Sequence, residues 1–364
     1  MKLNEIASYL DSAIPLSFQE NYDNSGLQIG EPDTEIKSAL LTLDITSAVI
    51  DEAIENKCDL IISHHPLIFS GLKRITGRTQ VERLVKKALD NGISVYSAHT
   101  NLDSIPEGVS WKMAERLKLT GTKVLMPLKQ KVMKLVTFVP PSHLEKVREA
   151  LFAAGAGVIG KYDNCAFTLN GTGSYRAGEG SNPFLGARGS VHSEEEIRFE
   201  TVFFSHLKTG VVNALISSHP YEEVAYDLYT LENENIDAGL GCVGDLPARM
   251  DESEFLRQVA KTFSAEGLRY SGLTGRKIGR LAMCGGSGAS LLAAAISAGA
   301  DAYITADIKY HVFQEAAGRI LLADIGHYES EKFSVETLYA LIIKKFPTFA
   351  LRFSEINTNP INYL

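Results

Sequence analysis

Apolar and polar positions in the first third of the chain follow two different periods. Helical spacing of apolar residues covers residues 48–56 and 81–91, and short apolar runs typical of strands cover residues 36–43, 59–63 and 93–98. Strands that alternate with helices in this way predict an α/β layer with a largely parallel sheet.

The pattern changes near residue 130. Apolar segments in the middle of the chain then predict the order strand, helix, strand, strand, helix, strand, at residues 132–139, 144–154, 165–169, 197–204, 207–218 and 224–231. That order is typical of a ferredoxin-like unit. A stretch rich in Gly, Ser and Asn between its two middle strands, residues 171–193, predicts a long loop. A self-contained unit in mid-chain indicates an inserted domain.

The α/β pattern returns after Gly239, with strands predicted at residues 281–284, 302–305 and 320–323 and helices at 289–298 and 330–344. Two segments of the first part, 58–65 and 94–99, resemble 300–307 and 319–324. Each half therefore offers two strands that end in polar residues, the edge at which open α/β sheets bind ligands. We predict two related α/β lobes interrupted by an inserted domain, with boundaries at 1–129, 130–238 and 239–364.

Composition and charge narrow the class of protein. The chain has 364 residues, of which 45% are hydrophobic and 22% charged, as in ordinary globular proteins with a core. The net charge of −8 argues against a protein that mainly holds a phosphate backbone, so we expect no nucleic-acid partner. It leaves room for a nucleotide in one locally positive pocket.

Cellular location is predicted from what the sequence lacks. There is no apolar segment of signal-peptide type at the N-terminus, and the longest uncharged run, 287–300, is shorter than the about 20 residues that span a bilayer. The cysteines are isolated from one another, so we expect buried thiols and no disulfide framework. We predict a soluble, cytoplasmic protein without a membrane partner.

Two consecutive histidines, His64 and His65, end the strand at residues 59–63 and are followed by Pro66. Proline biases His65 toward an extended backbone, on which neighbouring side chains point to opposite sides. The pair therefore suits two neighbouring ions better than one, or one ion with the other imidazole in a supporting role. The alternative is a strand-end pair that is exposed or satisfied by hydrogen bonds.

A second group follows the next strand, where His99 is four residues before Asp103. Asp103 is a hard oxygen ligand, although an aspartate in this place is also a common helix cap. We assign His99 to a structural or supporting role.

A third group follows the strand at 320–323. His327 and Glu331 are four residues apart and would share one helix face, as metal ligands or as an exposed ion pair. Glu329 is expected to face elsewhere.

Together the three groups offer three imidazoles and two carboxylates, a donor set that suits Zn, Fe, Mn, Co or Ni. Five protein ligands exceed the three of a catalytic zinc site. A carboxylate shared by two ions about 3.5–4 Å apart would account for the number. The sequence thus predicts two divalent metal ions per subunit, held by His64, His65, Asp103, His327 and Glu331, with Glu331 as the bridge.

Several short segments resemble a known family in the family's order: Asn-Ser-Gly-Leu-Gln at 24–28, Ser-His-His-Pro at 63–66, His-Thr-Asn-Leu-Asp at 99–103, Thr-Ala-Asp-Ile-Lys-Tyr-His at 305–311 and Gly-His-Tyr-Glu-Ser-Glu at 326–331. They are similar to the signature segments of the GTP cyclohydrolase I type 2 homologues, also called Nif-three-like proteins. The insertion, including His-Pro-Tyr-Glu-Glu at 219–223, resembles the PII/CutA-like domain of the family's longer bacterial members.

The resemblance implies a dinuclear site on the same five residues and a toroidal homohexamer with the sites facing an internal cavity. It also implies opening of the guanine imidazole ring of GTP, with a metal-bound hydroxide attacking C8. The leading hypothesis is a metal-dependent hydrolase acting on a small molecule, of cyclohydrolase, phosphoesterase or amidohydrolase type. The rival is a metal-binding regulatory or scaffold hexamer whose insertion senses a ligand.

Two further features of the sequence are weaker indications of function. The Gly-rich turn at 284–288 follows a strand, so its N–H groups are candidates for binding a phosphate, with a tight strand–helix turn as the alternative. Asp307 and His311 are candidates for supporting the site or transferring protons.

Overall fold

The computed structural model describes residues 1–129 and 131–364. Gln130, where the inserted domain is predicted to begin, lies outside the described residues. The α-helices are α1 (Leu3–Ala13), α2 (Ser47–Glu55), α3 (Gln80–Asp90), α4 (Thr100–Asp103), α5 (Val109–Arg116), α6 (Leu144–Ala153), α7 (Lys208–Ser218), α8 (Glu252–Phe263), α9 (Leu292–Ser297), α10 (Tyr310–Ala316), α11 (His327–Glu331) and α12 (Ser334–Lys345).

The strands complete the element order. They are β1 (Gly26–Ile29), β2 (Ser38–Thr42), β3 (Leu60–Ser63), β4 (Ser94–Ser97), β5 (Thr120–Leu128), β6 (Val132–Val139), β7 (Ala166–Arg176), β8 (Val191–Phe204), β9 (Tyr226–Leu231), β10 (Asn235–Met250), β11 (Arg269–Tyr270), β12 (Ile278–Met283), β13 (Ala302–Thr305), β14 (Leu321–Asp324) and β15 (Ala350–Phe353). This mixed α/β fold with several sheets is the predicted class.

The chain divides into two compact units, which we call the outer unit (Met1–Leu128 with Ile236–Leu364) and the inserted unit (Lys129–Asn235). The outer unit contains two sheets. The first has the order β1-β4-β3-β2-β15, and β1 is antiparallel to β4 while the other neighbours are parallel. The second has the order β11-β14-β13-β12-β10-β5, with a parallel centre of β12, β13 and β14.

Both sheets of the outer unit are covered on two faces, which explains their nearly continuous apolar strands. In β3, Leu60 and Ile62 pack into one core cluster and Ile61 into another. In β13, Ile304 likewise packs into one core cluster and Tyr303 into another. Because parallel strands of one sheet end at the same edge, residues that follow β3, β4, β13 and β14 collect at the carboxyl ends of the two sheets.

Two helices of the outer unit begin at capping side chains. The Thr46 hydroxyl accepts a hydrogen bond from Val49 N at the start of α2, and the Thr79 hydroxyl accepts one from Glu82 N at the start of α3. Such caps satisfy N–H groups that have no partner within the helix.

No helix in the described ranges combines the length and apolar character needed to cross a bilayer.

The inserted unit follows the order β6-α6-β7-β8-α7-β9 and has one antiparallel sheet with the strand order β7-β8-β6-β9. Its helices α6 and α7 pack on one face of this sheet, where Phe199, Leu135 and Val211 are fully buried. The inserted unit therefore has a hydrophobic core of its own.

Two element predictions are wrong in part. The predicted loop at 171–193 is shorter, since β7 and β8 pair from Ala166 with Thr201 to Arg176 with Val191 and leave only residues 177–190 between them. Most of β7 is exposed, so its sequence shows no apolar alternation. The predicted helix at 330–344 is two helices, α11 and α12, with a break after Glu331.

Candidate metal centre

The carboxyl ends of both sheets of the outer unit meet at one cluster of side chains. His64 and His65 directly follow β3, and Asp103 ends α4 after β4. His327 and Glu331 are the first and last residues of α11, which follows β14. The structure thus brings together all five residues predicted as ligands.

One group in the cluster consists of His64, Asp103 and Glu331, whose candidate ligand atoms lie within 4.8 Å of one another. His64 Nε2 is 3.8 Å from Asp103 Oδ1 and 3.7 Å from Glu331 Oε2. His64 Nδ1 is 2.8 Å from the Ala98 carbonyl oxygen, which can only accept a hydrogen bond. His64 Nδ1 must therefore carry the proton, and Nε2 presents a lone pair to the cluster.

The other group consists of His65, His327 and Glu331, and it shares Glu331 with the first. Glu331 Oε2 is 2.8 Å from His65 Nε2 and 3.0 Å from His327 Nε2. The two imidazoles approach each other to 3.3 Å between their Nε2 atoms. Within these two groups the adjacent residues His64 and His65 are separated, as extended backbone predicts, whereas a third group holds both of them with His99.

Each imidazole of the second group has a carboxylate within hydrogen-bond distance of its Nδ1 atom. His65 Nδ1 lies 2.6 Å from Asp44 Oδ1, and His327 Nδ1 lies 2.7 Å from Asp307 Oδ2. Asp44 is itself held, because the Thr358 hydroxyl donates to Asp44 Oδ2 at 2.6 Å. Carboxylates placed behind ligating histidines fix ring orientation in known metal sites.

The shared carboxylate also depends on a glycine. Gly286 has a φ of +60°, and a Cβ there would lie 2.0 Å from Glu331 Oε1. The N–H groups of the surrounding turn donate to side chains, with Gly285 bonded to Ser110, Gly286 to Ser330 and Gly288 to Thr305. The predicted phosphate role of this turn is thus unsupported, and the turn instead makes room for Glu331.

Two buried atoms indicate that the cluster fits a cation. Among the described residues, His64 Nε2 and Asp103 Oδ1 are buried side-chain atoms without a hydrogen-bond partner. Leaving such atoms unpaired is costly, and each is a lone-pair donor aimed at the same space. The clustered His, Asp and Glu side chains could hold a metal ion.

The electrostatics agree with that fit. Burial, together with the nearby Glu331 charge, raises the pKa of Asp103 above its usual range. Burial opposes the charged form of Glu331 as well, but hydrogen bonds with His327 and His65 hold its pKa well below the usual range. The cluster therefore concentrates carboxylate charge where solvent is largely excluded, a setting that favours a cation.

The same carboxylates act on the imidazoles. Burial alone would lower the pKa of His65, but hydrogen bonds to Asp44 and Glu331 raise it to about 9. For His327, burial is likewise outweighed by Asp307 and Glu331, which raise the pKa to about 11. Positive charge is thus stabilised at the centre of the cluster.

His99 lies beside the five residues. Its ring contacts those of His64 and His65, with centroids 5.4 and 5.5 Å apart, and its Nδ1 is 2.7 Å from Asp23 Oδ1. Asp23 also accepts a hydrogen bond from Thr100 N. His99 belongs with His64 and His65 to a third group that could hold an ion.

Of the other predicted residues, Asp307 contacts the cluster, whereas Glu329 and His311 make their hydrogen bonds elsewhere. Glu329 is buried where Asn359 Nδ2 donates to it, which agrees with the prediction that it faces away. His311 is exposed and pairs with Gln314, while Asp307 supports His327. The four cysteines are free, and Cys165 alone among them is not buried.

The sequence interpretation missed three residues around the cluster: Asp23, Asp44 and Thr358. Asp44 is the second residue after β2, as His65 is after β3, so its position at a strand end was an available signal. Asp23 directly precedes the Asn-Ser-Gly-Leu-Gln segment. Thr358 had no local signal.

Comparisons with known proteins agree with this geometry. Residues 1–360 match the family described as Duf34/NIF3 (NGG1p interacting factor 3). A protein of Bacillus subtilis named GTP cyclohydrolase 1 type 2 homolog is 40% identical over 99% of this chain and 98% of its own length. One of Halalkalibacterium halodurans with the same name is 40% identical over 96% and 95%.

A solved structure shows the same fold. The Bacillus cereus protein described as related to NIF3 is 36% identical, with a TM-score of 0.83 over 100% of this chain and 99% of its own. The Staphylococcus aureus protein SA1388 is 28% identical, with a TM-score of 0.78 over 100% and 99%. The chain therefore belongs to the Duf34/NIF3 family.

Proposed function

We propose that the chain binds two divalent metal ions through His64, His65, Asp103, His327 and Glu331 and acts as a metal-dependent hydrolase. The observation that carries the proposal is that two of the three candidate metal-binding groups together contain all five side chains and share Glu331. When bound, two such ions would supply Lewis acidity and acidify a water molecule. Zn, Fe, Mn, Co and Ni all suit this donor set.

The residues of the chain would prepare the site in three ways. The Ala98 carbonyl, Asp44 and Asp307 hold the Nδ1 atoms of the three imidazoles, so each Nε2 points inward. Glu331 presents one oxygen to both groups. Burial of Glu331 and His64 keeps bulk water from competing for the carboxylate.

The metal proposal is tested by elemental analysis of the freshly purified protein. We expect about two ions per chain, and loss of at least one in Glu331→Gln, because this residue belongs to both groups. Glu252→Gln, which changes a buried carboxylate of the outer unit that accepts hydrogen bonds from Thr274 N and Gly275 N, is the matched control and should keep the metal. Metal well below one ion per chain, with no difference between the variants, would contradict the proposal.

A nucleotide substrate is supported by two aromatic rings beside the site. The rings of Phe69 and His99 lie 6.2 Å apart between centroids, and Tyr22 packs on Phe69 at 6.3 Å. Tyr22 and Phe69 are 65% and 47% exposed, so their faces are available to stack a heteroaromatic base. The names of the relatives suggest GTP, whose imidazole ring would be opened.

The substrate proposal is tested by incubating metal-loaded protein with GTP and measuring formate and dihydroneopterin triphosphate. We expect Phe69→Ala to raise KM about tenfold with a smaller change in kcat, since stacking contributes on the order of 1–3 kcal/mol per base. The exposed residue Phe167, in the inserted unit, offers a matched control as Phe167→Ala. Absence of both products would reject GTP and leave other hydrolase substrates.

A second candidate function rests on the inserted unit, which has its own core. It is a metal-binding regulatory or scaffold protein, a toroidal homohexamer in which the insertion acts as a PII/CutA-like ligand sensor. Replacing residues 129–235 by a short turn separates the two functions. Hydrolysis that survives the deletion favours an enzyme with an accessory domain. Light scattering of the full-length protein and of the deletion variant measures their masses and tests the hexamer.

A further inference from the structure

The inserted unit contains a cavity of about 740 Å³, within the range of small-molecule sites. Its floor is the face of the β7-β8-β6 sheet opposite to helices α6 and α7. The loop at 177–187 and the segment that follows α7 form its other walls. The cavity lies outside the metal centre, and the function proposed above does not use it.

Two glycines give the cavity its depth. In the register of the hairpin, Gly171 pairs with Glu196 and Gly173 with Glu194, so these residues share the open face of the sheet. The Glu196 carboxylate lies across Gly173, where a Cβ would be 2.0 Å from Oε2. Glycine at this position thus lets a carboxylate rest on the cavity floor.

Aromatic rings form one wall. The rings of Tyr175 and Phe184 lie 6.5 and 6.1 Å from that of Tyr221 between centroids, and Phe138 also lines the cavity. The Tyr175 hydroxyl donates to the Leu185 carbonyl at 2.7 Å, which holds the loop over the sheet. Aromatic faces carry negative charge density and attract cations that are freed from water.

The charges around the cavity favour a positive ligand. Glu196 Oε1 accepts the Tyr221 hydroxyl at 2.9 Å, which leaves Oε2 for a ligand within the described part of the chain. Arg198 Nε donates to Glu200 Oε1 at 2.7 Å, but Glu200 also pairs with Lys134, so the Arg198 charge is only partly offset. The lining carries three carboxylates, those of Glu196, Glu222 and Glu223, against two guanidinium groups, those of Arg176 and Arg198.

We propose that this cavity binds a small organic ammonium ion with an apolar or aromatic body. Glu196 is the counter-ion of the ammonium group. The rings of Tyr175, Phe184 and Tyr221 surround the charge and the adjoining carbon atoms.

Calorimetry on the full-length protein tests the proposal with three probes of similar shape: tryptamine, tryptophol and indole-3-acetate. We expect tryptamine to bind at least tenfold more tightly than tryptophol, and indole-3-acetate to bind least. Glu196→Gln should weaken tryptamine at least tenfold. Glu195→Gln is the matched control, because Glu195 is the exposed neighbour on β8 outside the cavity lining, and it should leave binding unchanged.

A second variant separates loss of the site from loss of the fold. A Cβ at Gly171 would meet no atom closer than 3.8 Å, so Gly171→Leu fits the strand and projects into the cavity. We expect it to abolish tryptamine binding while the circular dichroism spectrum stays unchanged. Failure of tryptamine to bind at millimolar concentration, preference for the acid, or equal binding by Glu196→Gln or Gly171→Leu would overturn the proposal.

Discussion

His65 is oriented by a carboxylate that is held in turn by the last part of the chain. Thr358 donates to Asp44, Asp44 holds His65 Nδ1, and His65 Nε2 faces Glu331. The neighbouring residue Asn359 donates to Glu329, which belongs to the same short helix as Glu331. The C-terminal segment therefore acts on both sides of the metal centre without contributing a ligand.

Replacement of Thr358 by valine tests this positioning. We expect Thr358→Val to lower the affinity for a divalent ion about tenfold, since groups behind the ligands typically contribute 10–100-fold. The unfolding free energy should fall by about 1 kcal/mol, the net value of one hydrogen bond. Competition with a chromogenic chelator measures the affinity.

The control is Thr230→Val, which makes the same atomic change on an exposed strand of the inserted unit. Equal affinity of Thr358→Val and the wild type would show that Asp44 holds His65 without help from the tail.

At the same scale, sequence reasoning found the residues that meet at the cluster and Asp307 behind His327, but not the other residues behind the cluster. Histidines and carboxylates at strand ends have a local signal, because the strand pattern places them. The hydrogen bond from Thr358 to Asp44 joins residues 314 positions apart. Only the packed tail brings them together, so no local pattern could predict it.

At the scale of elements, α11 is a helix of five residues whose first and last residues are both predicted ligands. Its start is set by Gly326, which has a φ of +93°, and a Cβ there would lie 2.1 Å from Glu329 Oε2. The short helix thus depends on a backbone conformation that other residues rarely adopt.

Two alanine substitutions separate backbone strain from displacement of α11. Gly318 also has a positive φ, of +71°, but a Cβ there would meet no atom within 4 Å. Both Gly326→Ala and Gly318→Ala should lower the unfolding free energy by about 1–2 kcal/mol through the left-handed backbone. Only Gly326→Ala should also weaken metal binding, because Glu329 must move. Equal metal affinity in the two variants would contradict a positioning role for Gly326.

Element prediction succeeded where strands are buried on both faces and failed where they are exposed. The apolar runs of β3 and β13 were recognised because both faces pack into cores. The outer ends of β7 and β8 carry Gly, Thr, Ser and Glu, and only their mutual pairing makes them strands. Strand formation by pairing is a tertiary effect that local composition does not reveal.

At the scale of the whole molecule, the candidate metal centre joins distant parts of the chain. Three of the predicted ligands follow strands of the first sheet, and two follow a strand of the second. A ligand that binds only the folded state stabilises it by RT ln(1 + [L]/Kd), about 2.7 kcal/mol at one hundred times Kd. Metal should therefore stabilise the outer unit as a whole.

Hydrogen exchange measured with and without a saturating divalent ion checks this expectation. Protection should rise in β3, β4 and β14 and stay unchanged in β6 and β8 of the inserted unit. Glu331→Gln should remove the increase, whereas Glu195→Gln, an exposed change in the inserted unit, should preserve it. A uniform increase over both units would contradict local binding at the carboxyl ends of the two sheets.

The inserted unit leaves and re-enters the outer unit through neighbouring strands. β5 and β10 are adjacent in the second sheet, with Gly239 against Met126 and Gly244 against Thr120. The two junctions therefore lie at the same end of two paired strands. A short turn between these strands would join the two parts of the outer unit directly, so the chain path of the second sheet does not require the inserted unit.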